Sequence, residues 1–193
     1  LSPLESKVYN QLGNTFKKIG DNTSAISNYL RAIKIDPSNS KYYNNIANIY
    51  SLDKDYIKAI INYDQAIKIS PRNPYYFNSR GNTKRRTGDF EGAVNDYSIA
   101  IELEPRNSEF YYNRALAKGR GLGLFKESLT DFNQAIEINP FDAYAYNNRG
   151  MSRNSLDDRK GACKDFKRAV SLGSKSTLDW LNSEGGAWCR NMP

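Results

Sequence analysis

"AIKIDPSNSKYYNN", Ala32–Asn45, returns three times along the chain, as "AIKISPRNPYYFNS" (Ala66–Ser79), "AIELEPRNSEFYYN" (Ala100–Asn113) and "AIEINPFDAYAYNN" (Ala135–Asn148). Self-similarity at a fixed period is the mark of a repeat architecture. The prolines set the period: Pro37 to Pro71 and Pro71 to Pro105 are 34 residues each, and Pro105 to Pro140 is 35. Five units follow, at 6–39, 40–73, 74–107, 108–142 and 143–176, the last with Ser174 where the others have proline.

Within the units, columns of like residues line up. An aromatic comes early (Tyr9, Tyr43, Phe77, Tyr111, Tyr146) and a small residue four positions later (Gly13, Ala47, Gly81, Ala115, Gly150). A second small column (Ala25, Ala59, Ala93, Ser128, Ala162), a second aromatic (Tyr29, Tyr63, Tyr97, Phe132, Phe166) and a third small column (Ala32, Ala66, Ala100, Ala135, Ala169) complete the unit. Spacings of three and four place each set on one helical face. Small residues let two helices approach while the aromatics fill the space beside them. Each unit therefore reads as a helix A and a helix B. Gly20-Asp21, Asp53-Lys54-Asp55 and Gly88-Asp89 mark turns between A and B, and proline ends helix B. A single hairpin cannot cover its own apolar face and must stack on the next.

These columns resemble the tetratricopeptide repeat (TPR) over about 6–176. The resemblance implies an all-α fold: a right-handed α-solenoid of five tandem helix hairpins. We expect a single domain over 1–193, with 177–193 supplying a capping helix and tail. Leu178, Trp180 and Leu181 suggest the cap, Gly185-Gly186 its end, and the remaining alternative is a Trp-bearing tail that binds a partner.

Composition bounds the function. The chain has 193 residues, is 39% hydrophobic and 25% charged, and carries a formal charge of +7, as expected of a soluble folded protein. The cations are uneven: 143–176 holds eight Lys/Arg against three Asp/Glu, whereas 108–142 holds four against five. A basic end favours acidic partners, nucleic acid or anionic lipid, or is simply a solvated helix face. No apolar run is long enough to span a membrane and no signal-peptide pattern is visible, so a cytoplasmic location is expected. There is no histidine, which removes the commonest general base and metal ligand. No carboxylate, Lys, Tyr or Cys cluster replaces it, so we expect no enzyme activity, no metal and no cofactor. Cys163 and Cys189, 26 residues apart, make no zinc site; they are compatible with free thiols or with one disulfide joining the tail to the last repeat.

Three departures from the pattern stand out. Helix A of repeats 3, 4 and 5 carries Arg80, Arg114 and Arg149 where repeats 1 and 2 have Leu12 and Ile46. Helix B changes in step, with Asp96, Asp131 and Asp165 where repeats 1 and 2 have Asn28 and Asn62. An arginine only where there is an aspartate predicts a forked ion pair between A and B. The third departure is the extra residue of repeat 4, in "KGRGLGLFKE", where Gly119, Gly121 and Gly123 predict a loosened, mobile turn rather than a phosphate cradle.

The resemblance implies a concave groove lined by A helices, facing a protein or peptide ligand. Its positions carry Asn10, Asn14, Asn44, Asn48, Asn78 and Asn82 at i, i+4 spacing, with Tyr112 and Asn147 in later repeats. An amide both donates and accepts, so a row of them suits the backbone of an extended peptide or merely keeps a groove polar. Lys17, Lys18, Lys7, Lys41, Arg85 and Arg86 would make the amino half basic, and Tyr75, Tyr112 and Tyr144 would add contact surface. The carboxylate clamp of chaperone-binding relatives is only partly present. Asn14 and Asn45 match it, but Asn10, Tyr75 and Ser79 stand where the clamp has cations. The expected function is a non-enzymatic scaffold or adaptor that binds an extended, acidic peptide. The alternatives are a self-associating or complex-assembly factor sealed by Trp180 or Trp188, or a repeat module of a larger protein. Nucleic acid is disfavoured, because no base-reading pair of side chains recurs.

Overall fold

The computed structural model describes residues 3–192; these form helices joined by short turns, with no strand among them. Ten helices correspond in order to helices A and B of the five repeats: α1 Pro3–Lys18, α2 Asn22–Ile35, α3 Ser40–Leu52, α4 Tyr56–Ile69, α5 Pro74–Thr87, α6 Phe90–Leu103, α7 Ser108–Leu116, α8 Phe125–Ile138, α9 Ala143–Ser155 and α10 Arg159–Ser171. The cap is α11 Lys175–Asn182, followed by the short α12 Ala187–Arg190. The chain divides into two compact units, residues 1–89 and 90–193, within the third repeat.

The turns follow from their residues. At all five A-to-B turns one residue takes a left-handed conformation: Gly20 (φ 83°), Lys54 (φ 64°), Gly88 (φ 88°), Gly123 (φ 71°) and Asp157 (φ 61°), and three of these turns share one capping pattern. The aspartate that follows (Asp21, Asp55, Asp158) accepts a bond from the backbone N–H of Ser24, Lys58 or Gly161 and so caps helix B. At the B-to-A turns Asn39, Asn73, Asn107 and Asp142 cap the next helix in the same way. Pro37, Pro71, Pro105 and Pro140 each fall two residues past the end of a helix B, as with Ile35 and Pro37.

Packing is by the small and aromatic columns. Ala25, Ala32, Ala47, Ala59 and Ala66 are fully covered, and Tyr29 and Tyr63 are buried among them in the first unit. Ala25, Tyr29, Ile46 and Ile49 form one cluster, joining α2 to α3. Polar bonds fix the register between successive repeats. Tyr42 donates to Ser6 Oγ at 3.1 Å, Ser40 Oγ and the Tyr76 hydroxyl lie 3.0 Å apart, and both pairs are 36 residues apart in sequence.

The insertion in repeat 4 is not a loose turn. It is a π-helical turn, Ala117–Gly121, continuous with α7. Gly119 lies against Ser128 and Ser152, and Gly121 against the ring of Phe90, where a Cβ would collide. These glycines serve close packing, in place of the loosened turn expected from the sequence.

The carboxyl end also departs from expectation. Ser183, not Gly185-Gly186, closes α11, and Glu184–Gly186 is a single 3-10 turn leading into α12. Cys163 and Cys189 are joined by a disulfide, with Cα atoms 5.2 Å apart. Around it Ala162, Phe166 and Leu181 form the terminal core, with Trp180 and Trp188 packed against it. The Phe166 and Trp180 rings are 4.7 Å apart, so the tryptophans belong to the cap rather than to a free tail.

The arginine–aspartate pairs of repeats 4 and 5 are present. Arg114 grips Asp131 through Nε (2.9 Å) and Nη2 (2.7 Å), and Arg149 grips Asp165 with the same two distances. A second cation one turn on, Lys118 or Arg153, reaches the same carboxylate at 2.7 and 2.8 Å. The third guanidinium nitrogen extends back to the preceding helix B, from Arg114 to Ser98 and from Arg149 to Asn133. Arg80 makes the equivalent reach to Asp64, at 2.6 Å; Arg80 and Asp96 themselves fall in different units.

Candidate functional site

In the first unit, residues of α1, α3, α4 and α5 line a pocket of about 260 Å³. It brings together four of the expected groove residues, Lys17, Asn48, Asn82 and Arg86, with Ser51, Tyr63 and Ser79. No carboxylate is among the lining residues, whose charged members are the two cations Lys17 and Arg86. Arg86 Nη1 rests 3.4 Å from the Ser51 carbonyl, which holds its charge without neutralising it. On the neighbouring Arg85, Nε is buried with no hydrogen-bond partner.

The asparagines are not idle polar residues. The Tyr63 hydroxyl donates to Asn48 Oδ1 at 2.7 Å, and the Tyr29 hydroxyl donates to Asn14 Oδ1 at 2.8 Å, each across 15 residues. Helix B thereby fixes the amide of helix A, and the amino group remains to donate to a ligand carbonyl. Asn10 is used differently: its Oδ1 accepts from Asn45 Nδ2 at 3.0 Å, which ties successive A helices together. The same link recurs in the second unit, where Asn148 donates to the Tyr112 hydroxyl at 3.0 Å. Asn147 Oδ1 accepts from Thr177 on the cap.

Burial separates the remaining expected residues. Asn78 is only 6% exposed and lies among the buried Tyr76, Phe77 and Gly81 of α5. Asn44 is half-buried, Lys41 is exposed, and Tyr75 is 51% exposed beside Pro71 and Pro74, outside the pocket. Sequence periodicity placed the asparagines on one helix face. It could not show that tyrosines 15 residues away would claim their carbonyls, although the Tyr29 and Tyr63 column carried that signal.

Burial pushes the Tyr63 phenol up to about 12, against the smaller opposing pull of Thr83, Arg86 and Ser79. The folded form thus keeps a proton that the unfolded chain, at 10.0, releases. This contribution is fully present below pH 10 and is lost as pH rises toward 12. Denaturant titrations across that range should show a steeper loss of stability for the wild type than for Tyr63→Phe. Parallel curves would show that the phenol does not carry the linkage.

In the second unit, a larger cleft of about 820 Å³ lies along α9 and α10, with Met192 of the tail at its edge. Sequence reading located its basic charge but not its shape. No group of acidic, cysteine or histidine side chains that could hold a metal occurs among the described residues, and none of their helices is long and apolar enough to cross a membrane.

Comparison with known proteins gives three family-model matches. One model, described as "TPR repeat", matches residues 13–54 and 81–120, and two described as "Tetratricopeptide repeat" match 40–73 and 108–142. The fold is similar to that of a MamA protein (TM-score 0.79, 21% identity, 90% of this chain and 94% of that one). It is also similar to YrrB, described as "a TPR protein with an unusual peptide-binding site" (TM-score 0.75, 20% identity, 91% of each chain). A third similar structure is pilF of Pseudomonas aeruginosa (TM-score 0.80, 17% identity, 96% of this chain and 88% of that one). At these identities the likeness speaks to the fold alone. The comparison with curated proteins finds no match.

Proposed function

Since the chain belongs to the tetratricopeptide repeat family, whose members bind protein or peptide partners and are typically not catalysts, we propose that it is an adaptor gripping an extended, acidic peptide in the groove of its first unit. The observation that carries this reading is the pocket holding Lys17, Asn48, Asn82 and Arg86 with no carboxylate. Fixed amide donors suit the carbonyls of an extended backbone, and the two cations suit an acidic side chain or a terminal carboxylate. The peptide-binding site of the structurally similar YrrB agrees in kind. Tyr75, exposed at the start of α5, offers an amphipathic surface of the sort enriched at binding hot spots.

The test spares the asparagines, because Asn48→Ala would strand the buried Tyr63 hydroxyl and confuse binding with folding. Lys17→Ala/Arg86→Ala and wild type, matched by circular dichroism, are used as bait in native cell extract. We expect the main captured partner to fall by about tenfold on the variant, the scale of losing close charge pairs. Recovery of the same partners in equal amounts would move the function away from this pocket.

A further inference from the structure

We propose that the cleft along α9 and α10 is a second binding site, for an acidic peptide segment whose carboxylates alternate along the chain. Six cations and two carboxylates line it. Both carboxylates are already engaged: Asp165 by Arg149 and Arg153, and Asp158 by Arg153 and by the Gly161 N–H at the helix start. What faces the opening is therefore uncompensated positive charge. Lys160, Lys164 and Arg168 are exposed on α10 and have no carboxylate partner among the described residues.

The geometry sets the ligand's pattern. Lys160 and Lys164 are one helical turn apart, about 5–6 Å along the axis. Side chains on one edge of an extended peptide recur every second residue, about 6.5–7 Å. Acidic residues at alternate positions can thus meet successive lysines, and Arg168, one turn further, continues the row. A protein ligand is favoured over single-stranded nucleic acid by the state of the one aromatic in the lining. Tyr146 already carries the guanidinium of Arg149 at 5.3 Å and that of Arg168 at 5.7 Å, leaving no free ring on which a base could stack. The far edge is firm: the disulfide anchors the tail, and Lys167 Nζ donates to the Met192 carbonyl at 2.6 Å.

The test uses the full chain and fluorescence anisotropy with the labelled peptide Glu-Ser-Glu-Ser-Glu-Ser-Glu. It is run on wild type, on Lys17→Ala/Arg86→Ala, and on the latter carrying Lys160→Glu/Lys164→Glu in addition. Because these lysines are exposed, the charge reversals leave the core untouched. We expect the peptide to bind Lys17→Ala/Arg86→Ala, and the added reversals to weaken that binding by about tenfold or more. Loss of all binding in Lys17→Ala/Arg86→Ala would overturn the second site while upholding the first-unit groove. Residual binding indifferent to the lysine reversals would overturn it as well. So would tighter binding by a labelled oligothymidylate of equal charge, or lysine-dependent sedimentation with phosphatidylserine vesicles in the absence of peptide binding.

Discussion

Asp131→Ala is expected to lower the thermal midpoint by about 6–12 °C, the equivalent of about 3 kcal/mol in a chain of this size. The Asp131 side chain is 3% exposed and holds two cations, so its removal leaves Arg114 and Lys118 facing each other without an anion. Breaking one side of a buried pair is costly because the other charge has lost its compensation, not because the pair itself is strongly stabilising. The estimate sits at the low end of the usual range, since the two cations are 19% and 20% exposed and can turn toward water. The same reasoning predicts rescue. Asp131→Ala combined with Arg114→Leu restores the apolar state that repeats 1 and 2 show at this position, as Leu12 and Ile46, and should recover much of the loss. A double-mutant cycle measures it, and plain additivity of the two changes would reject the account.

The Cys163→Ser/Cys189→Ser variant is expected to lose about 3.5 kcal/mol, the chain-entropy value for a loop of this length. The bond spans 26 residues and holds the tail on the terminal core. Without it α12 should detach first, because α12 is only four residues long and its main apolar anchor is Cys189 itself. The expected signs are a lower thermal midpoint, proteolysis near Ser183–Gly186 and a red shift of Trp188 emission as its contact with Trp180 opens. An unchanged midpoint with a protease-resistant tail would show that packing alone keeps the cap in place. Disulfides persist mainly in oxidising compartments. Thiol labelling of the protein taken directly from cells decides whether the bond is present there.

What could be read before the structure was whatever repeats. The five hairpins, their small and aromatic columns and the aspartates at the turns follow from periodicity, because each repeat faces the same packing problem. The Arg–Asp pairs of repeats 4 and 5 were legible because two columns changed together. What lay beyond reach were contacts made once or across unlike positions. The participation of Lys118 and Arg153 in the same carboxylates is one example, and the capture of the asparagine carbonyls by Tyr29 and Tyr63 is another. Asn78 shows the limit: it shares the sequence position of Asn10 and Asn44 but not their exposure. The basic cleft was visible as charge, yet its walls depend on a tail whose attachment hung on whether two cysteines paired.

The π-helical turn at Ala117–Gly121 bears on how such a chain can change over generations. An additional residue in an ordinary α-helix would rotate everything beyond it by about 100°. Here Arg114 and Asp131 are 17 residues apart where Arg149 and Asp165 are 16, yet both forks close at 2.9 and 2.7 Å. The slip of one residue is absorbed before α8 begins, and no later repeat inherits it. A gene assembled by copying one segment can therefore tolerate a small copying error in a single copy, provided glycines stand where the widened turn meets its neighbours.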